Sequence, residues 1–459
     1  MKGGIKYRLL NFMLPGLKRW ILFILIGIAV IVFGVFLLLG YHPIMLSGMF
    51  LHDLIQDAAH VGLTHRINGL IVIMGGTVVV ILAIARMTVS VLGAYLPDDR
   101  ESIPDVLYRR QLLGRGPRVV VIGGGTGLST LLKGIKDYTN NITAIVTVGD
   151  DGGSSGRLRQ ELGVLPPGDI RNCITALADE EKLVTELFRY RFKSGQGLEG
   201  HSFGNLFLSA ICAITNGDMV QAVKVAGRIL NSRGQVIPST LGSISLVAQL
   251  KDGRLVKGES QISSSGGEID KLKIEPAAEP TPEALTAIEE ADLIIIGPGS
   301  LYTSVIPNLL ISKIVKALKN AHARKVYVCN VMTQPGETTG YSVCDHLAAI
   351  MSHAGVDASE ANKLIQTVIV NSDIPEVDST SSCKPVNADP DKINAFGISL
   401  VQKPLVNTQP VSDQNYQHDS AKLAKLIMLE IYKDKKHNRL LANPDYVDSE
   451  AHAIVSMKN

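Results

Sequence analysis

The sequence predicts an α/β fold: a mostly parallel sheet with helices on both faces and a small inserted β-meander, preceded by two transmembrane helices. Three observations lead there. Two long apolar runs stand near the N terminus. From residue 118 onward, short and fully apolar runs alternate with stretches of helical spacing, the pattern of parallel strands covered on both faces. Loops rich in glycine and polar residues follow those runs, where open α/β sheets bind ligands.

Composition sets the outer bounds. The 459 residues carry 45 Lys plus Arg against 43 Asp plus Glu, a net charge of +2. That balance excludes a nucleic-acid wrapper and an acidic solvating tail, so no nucleic-acid partner is expected. Hydrophobic residues reach 46%, a globular value. The five cysteines include no CxxC pair, which argues against a disulfide framework or a structural zinc. Mean hydropathy is +0.20, and the excess is concentrated at one end.

Ile21–Gly40 contains no charge, and Ile67–Ala85 has only Asn68 and Thr77 as polar side chains. A helix of roughly 20 apolar residues crosses a bilayer, and lipid demands that the backbone be helical. No small-residue cleavage site follows the first run, so a removed signal peptide is not expected. Lys2, Lys6, Arg8, Lys18 and Arg19 precede the first span; Arg86, Arg100, Arg109, Arg110, Arg115 and Arg118 follow the second. The loop between them holds only Arg66. Positive residues stay inside, so both termini and the α/β domain are expected in the cytoplasm, with residues 1–95 as a hairpin in the cell membrane. Gly75-Gly76 offers a close-packing spot, and the apolar hairpin offers a surface to a second copy, but no G-x-x-x-G spacing marks a dimer motif. The outer loop carries His42, His52, His60 and His65 without a tight metal-binding pair.

Residues 96–117, with Pro97, Pro104 and Pro117 among charges, read as a linker, 118–433 as the α/β domain and 434–459 as a tail. Within the domain, Arg118–Ile122 and Ile142–Val148 read as strands, with helical spacing of Leu128, Leu131, Leu132 and Ile135 between them. Further strands are expected at 293–296, 326–329 and 367–370, and helices at 204–215, 218–230, 282–291, 309–319 and 343–353. Ser243–Leu250, a turn at Asp252-Gly253, and Arg254–Ile262 read as a β-hairpin, with 263–267 as its tip. After Ser372 the chain is polar and Pro-punctuated until a closing helix at 421–432.

The loops carry the chemistry. Gly123-Gly124-Gly125-Thr126-Gly127 lies between a strand and a helix, where glycines let backbone approach a phosphate and helix N–H groups face it. No G-K-[ST] closes it, and Leu128 breaks the dinucleotide fingerprint, so a plain tight turn stays open as the other reading. Asp150 lies 23 residues after Gly127, roughly where a nucleotide fold places a ribose-binding acid. Asp150 and Asp151 also admit a Mg²⁺ reading, though strand neighbours point apart and share an ion only from a loop. Arg157 and Arg159 are either phosphate contacts or solvated charges. Asp169 reads as an N-cap. Arg171 then stands in a first turn, against the helix dipole, which makes it and its neighbour Asn172 candidate ligand contacts. Asn205 could read a base or sugar edge. Gly297, Gly299, Ser300 and Tyr302 form a second candidate cradle, and Thr333 and Gln334 offer hydroxyl and amide groups after the next strand. Neither a nucleophile–base pair nor an acyl-transfer motif is present.

Taken in order, VVVIGGGTGLSTLLKGIK at 119–136, TVGDDGGSSGRLR at 147–159, LPPGDIRNC at 165–173, GHSFGNL at 200–206, IIIGPGSLYTSVIPNLL at 294–310 and NVMTQPGETTGYSV at 330–343 resemble one bacterial family. These are the YvcK-type gluconeogenesis factors, relatives of 2-phospho-L-lactate transferase (CofD). The resemblance implies a Rossmann-like fold that binds a uridine-diphosphate sugar, notably UDP-N-acetylglucosamine, and that regulates carbon flow to the cell wall and cell shape. It puts Gly124, Gly125 and Thr126 at the diphosphate. It also implies that Asp150 matches the acid that meets the deazaflavin acceptor in the transferase, with Asn205 and the 297–302 loop completing the pocket. The GGSSGRLR continuation departs from the transferase pattern and places the chain with the regulators. The alternative is a transferase that moves a phosphorylated group from a nucleotide-linked donor, with Mg²⁺ on Asp150. A transporter is disfavoured, since neither span carries an acid or a base.

Overall fold

A computed structural model describes residues 17–39, 63–93, 111–179, 182–373, 382–406 and 416–432, and divides into two units, Met1–Arg110 and Gln111–Asn459. His42, His52, His60, most of the linker and the 434–459 tail lie outside the described residues.

The first unit is a pair of helices, α1 (Leu17–Leu38) and α2 (Leu63–Gly93). Both contain a stretch long and apolar enough to cross a membrane, Arg19–Leu38 and Arg66–Ser90. Helix α2 begins before His65, so this residue belongs to the helix rather than to the expected loop. The helices run antiparallel through small residues repeated every seven positions. Gly27 and Gly34 are buried against Gly76 and Gly69, and Ala83, one step further along α2, is buried as well. A Cβ at Gly76 would stand 2.9 Å from the Gly27 carbonyl, and one at Gly34 would stand 3.0 Å from that of Gly69. Close backbone approach of this kind is how apolar helices associate in lipid, where no hydrophobic effect draws them together. Leu22, Phe23, Leu25, Leu70, Ile71 and Leu82 face outward, and the Thr77 hydroxyl bonds the Ile73 carbonyl of its own helix.

The second unit is built on a seven-stranded parallel sheet. In chain order its elements are β1 (Val119–Gly123), α3 (Gly125–Ile135), β2 (Ile142–Val146), α4 (Gly153–Leu162), α5 (Gly168–Leu177), α6 (Phe203–Ile214), α7 (Met219–Ile229) and β3 (Gln235–Pro238). There follow β4 (Ser245–Leu250), β5 (Leu255–Lys257), the short helix α8 (Glu259–Ser264), β6 (Ile269–Glu275), α9 (Pro282–Glu290) and β7 (Leu293–Ile296). The last are α10 (Ser312–Asn320), β8 (Arg324–Val328), α11 (Val343–Ala354), β9 (Thr367–Asn371), β10 (Ser399–Lys403) and α12 (Ser420–Lys425). Sheet order is β10-β9-β8-β7-β1-β2-β3.

Alternation across the pleat explains why the strands are apolar throughout. Val120, Ile122, Ile145, Ile294 and Ile296 enter the core under α9, α10 and α11. Val119, Val121, Ala144, Val146, Leu293 and Ile295 enter the opposite core, under α3, α5, α6, α7 and α12. The helical face of α3 is the expected one: Leu128, Leu131, Leu132 and Ile135 are all buried.

The inserted meander is a separate antiparallel sheet, β5-β4-β6. It departs from the expected hairpin in two respects. The second strand ends at Lys257 and gives way to α8, and the expected tip leads into a third strand, β6, paired along β4. The strands β3 and β10, at the two edges of the main sheet, are further elements beyond those read from periodicity.

Candidate functional site

Chain order reverses between β1 and β7: the chain builds β1-β2-β3 outward, then returns to build β7-β8-β9-β10 on the other side. Such a switch point opens a crevice beyond the carboxyl ends of the strands. The loops after β1, β7 and β8 meet there.

After β1 the backbone turns at Gly124 and enters α3 through Gly125, whose φ of +67° favours glycine. The N-cap of α3 is Gly124, which brings no side-chain acceptor. Gly127 lies under the next loop, since a Cβ there would stand 2.8 Å from the Pro298 carbonyl oxygen. That loop follows β7 through a cis Gly297–Pro298 bond. The Asn330 amide holds it in both directions: Gly299 N–H donates to Oδ1 at 3.1 Å, and Nδ2 donates to the Gly299 carbonyl at 2.7 Å. Ser300 Oγ donates to Gln334 Oε1 at 2.8 Å.

The chain then makes a π-helical turn, Leu301–Val305, a shape common at functional sites. Its organiser is the buried Glu337, which accepts from Tyr302 N–H, Thr303 Oγ1, Ser263 Oγ and Gln334 Nε2. Burial raises the Glu337 carboxyl above its ordinary pKa, and these donors oppose the shift.

Between these loops lies an open cavity of about 320 Å³, at the lower end of the range for small-molecule sites. Gly125–Gly127 form one wall and Gly299, Ser300 and Ser304 another. Asn330–Pro335 and a C-terminal segment, Tyr416–His418, complete it with Cys383.

On the other side of the glycine turn is a charged lobe. Asp169 is read from sequence as a cap on its own helix, but the N-cap of α5 is Pro167. The Asp169 carboxylate instead accepts the Gly125 N–H at the start of α3. Burial, with the Asp150 charge next, raises its pKa to about 6. Asp150 Oδ1 accepts the Gly152 N–H at 2.9 Å, and Asp151 Oδ1 accepts both the N–H and the hydroxyl of Ser260 on α8, at 3.0 and 2.9 Å. Glu259, next to Ser260, is pushed up to about 9 by burial and by the Asp150, Asp169, Glu337 and Asp151 charges. Among the described residues, no group of three or more His, Cys, Asp or Glu side chains is placed to cage a metal ion.

Behind this lobe Asn205 donates to Ser154 Oγ and Ser155 Oγ, and Ser154 Oγ pairs with His201 Nδ1 at 3.0 Å. Burial and the Arg157 charge lower the His201 pKa. Arg171 is buried; its Nη1 donates to Ser202 Oγ, the N-cap of α6, and its Nη2 to Asn172 Oδ1. Burial and the Arg191 charge lower its pKa, against the pull of Asp169 and Asp150.

The candidate residues therefore divide into three groups. Gly125, Thr126, Gly299, Ser300, Thr333 and Gln334 line the cavity. Gly124 backs onto Asp169 and, with Asp150, Asp151, Arg171, Asn172 and Asn205, belongs to the charged lobe. Gly297 lies under the β7 loop, and Tyr302 turns into the core, where its hydroxyl meets that of Tyr341 at 2.8 Å. Arg157 and Arg159 tie backbone carbonyls, of Glu199 and Ile244. Asp169, Glu259, Ser304, Cys383 and Tyr416–His418 are among the residues that sequence reasoning left out of the site. For the last group the signal was Asp419, which caps α12 and fixes where the segment ends.

A sequence model of the family described as 2-phospho-L-lactate transferase CofD matches residues 119–406. A gluconeogenesis factor of Bacillus subtilis is 47% identical over 322 residues, 69% of this chain and 98% of that protein. A Nostoc protein provisionally named gluconeogenesis factor is 47% identical over 434 residues, 93% of each chain. A crystal structure of a Bacillus halodurans protein is similar with a TM-score of 0.64 at 45% identity, covering 68% of this chain and 99% of that one.

Proposed function

Since the chain belongs to the CofD family, among its gluconeogenesis factors, we propose that it is a membrane-tethered regulator that binds a nucleotide-linked sugar of the UDP-N-acetylglucosamine kind and governs carbon flow to the cell wall and cell shape. One observation carries the reading: the loops after β1, β7 and β8 surround a single cavity at the switch point, with the N terminus of α3 opening onto it. Helix N–H groups and the dipole favour an anion at such a place. In this reading Gly125, Thr126 and Gly127 hold the diphosphate, while Ser300, Thr333 and Gln334 stand around the nucleoside. The two apolar helices hold the protein in the bilayer, and the basic residues flanking them put both ends and the α/β unit on the cytoplasmic side.

The test is binding by the full chain in detergent. A ligand at a hundred times its Kd stabilises the native state by about 2.7 kcal/mol, so saturating UDP-N-acetylglucosamine should raise the melting temperature by several degrees. No shift and no heat of binding would remove the ligand from the proposal.

The transferase reading retains one support, the neighbouring Asp150 and Asp169 carboxylates. Mg²⁺ is commonly held by one or two carboxylates plus substrate phosphates. The same preparation, given Mg²⁺, a nucleotide-linked phospholactate and a deazaflavin, would form product on that reading and none on the regulator reading.

A further inference from the structure

The inserted meander is fastened to the site rather than merely near it. On one side of Glu259, a Cβ at Gly258 would collide with the Asp151 carboxylate; on the other, Ser260 donates twice to that carboxylate. A Cβ at Gly152 would stand 2.7 Å from Ser260 Oγ, so the backbone of the β2 loop packs directly on a side chain of α8. At its far end α8 is pinned again: Ser263 Oγ donates to Glu337 Oε1 at 3.2 Å, and a Cβ at Gly336 would strike the Ser263 carbonyl. One short helix therefore bridges the loop after β2 and the loop after β8. Between the two clamps it carries a half-buried carboxyl with no hydrogen-bond partner among the described residues.

The two sides of the glycine turn differ in chemistry. The cavity side offers Val331, Met332, Cys383 and Tyr416, surfaces that suit a flat heteroaromatic ring. The other side runs from Gly124 through Asp169, Gly168 and Asp150 to Ser260. A Cβ at Gly124 would stand 2.5 Å from Asp169 Oδ2, and one at Gly168 would stand 2.9 Å from Asp150 Oδ2. On the wall of this lobe Asn205, 1% exposed, has an Oδ1 without a partner among the described residues. Carboxyl and amide oxygens gathered this way are acceptors for hydroxyl groups.

We propose that Glu259 is a ligand-contacting residue, delivered by the inserted meander, that reads hydroxyl groups of the sugar of a nucleotide-linked sugar whose diphosphate lies on the glycine turn and whose base lies on the Tyr416 side. The proposal rests on the nucleotide-sugar reading above and adds the direction in which the ligand lies and the element that recognises its sugar.

The experiment compares two probes, UDP and UDP-N-acetylglucosamine, by calorimetry on the full chain in detergent. The variants are E259A, which removes the carboxyl, and E259D, which keeps an acid of nearly the same size but withdraws it by one methylene. Both variants should bind the sugar nucleotide about tenfold more weakly, the loss of roughly one hydrogen bond to a charged or polar partner, while binding of UDP changes less than twofold. Should E259A fail to fold, E259D carries the comparison alone. An unchanged ratio of the two affinities in E259D would overturn the proposal and leave the nucleotide site standing, as would a wild-type protein that binds both probes equally. A wild-type protein that binds neither would overturn the nucleotide-sugar reading and this proposal together.

Discussion

The residue with the sharpest physical signature is Asp169. Its carboxyl is held near pKa 6 against an ordinary value of 3.8, chiefly by burial. Between those two pH values the folded protein binds more protons than the unfolded chain, so Asp169 weakens the fold as pH rises from about 4 to 6, and the full cost stands above pH 6. Two pKa units correspond to roughly 2–3 kcal/mol. D169N should therefore stabilise the protein by about 1–2 kcal/mol at pH 8, allowing for a weaker acceptor to Gly125, and change little at pH 4. Melting scans at the two pH values check this; equal effects at both would refute it. Little of this was legible in the sequence. Asp169 sits where a local reading sees an N-cap, yet its partner Gly125 lies 44 positions earlier, at the start of another helix. Tyr302 is the converse case. Composition marked its loop as a cradle, but the π-turn and the distant Glu337 decide which way each side chain points.

At the scale of elements, periodicity carried most of what could be read. The main-sheet strands at 119–123, 142–146, 293–296, 324–328 and 367–371 stand within two residues of their apolar runs because both of their faces are buried. The edge strand β10 escaped for the opposite reason: it is half-exposed, so its sequence carries no continuous apolar run. Helix α8 was read as strand and tip because its serines favour turns in isolation, and only contacts with Asp151 and Glu337 settle it as helix. In the hairpin, adjacent glycines have opposite roles. A Cβ at Gly76 would stand 2.7 Å from Ile31 Cγ1, while Gly75 has nothing within 4 Å. G76L should therefore force α1 and α2 apart at a cost of about 1–3 kcal/mol, whereas G75L should be neutral. The chain has a single tryptophan, Trp20, packed on Phe23 within α1. Its fluorescence during thermal denaturation in detergent follows this unit alone, and equal midpoints for the two variants would contradict the packing.

For the whole molecule, the relatives define what is added. Those that align with 68–69% of this chain are themselves covered to 98–99%, so they are shorter by about a third, whereas the Nostoc protein matches over 93% of both lengths. The α/β unit should accordingly fold without residues 1–95. Deleting residues 1–95 should move the protein from the membrane fraction to the soluble one while the thermal shift with UDP-N-acetylglucosamine stays the same. Loss of the shift in a folded truncation would mean that the tether contributes to binding. The sheet order has a consequence for how such a protein is made. Strand β1, at the centre of the sheet, touches β2 on one side and β7 on the other, and β7 begins 170 residues after β1 ends. A ribosome adding about 5–20 residues per second needs roughly ten to thirty seconds to cover that distance. For that long the nascent chain carries an unpaired, wholly apolar strand edge. Chaperone demand during synthesis should accordingly peak before residue 293 emerges and fall once the second half of the sheet closes over it.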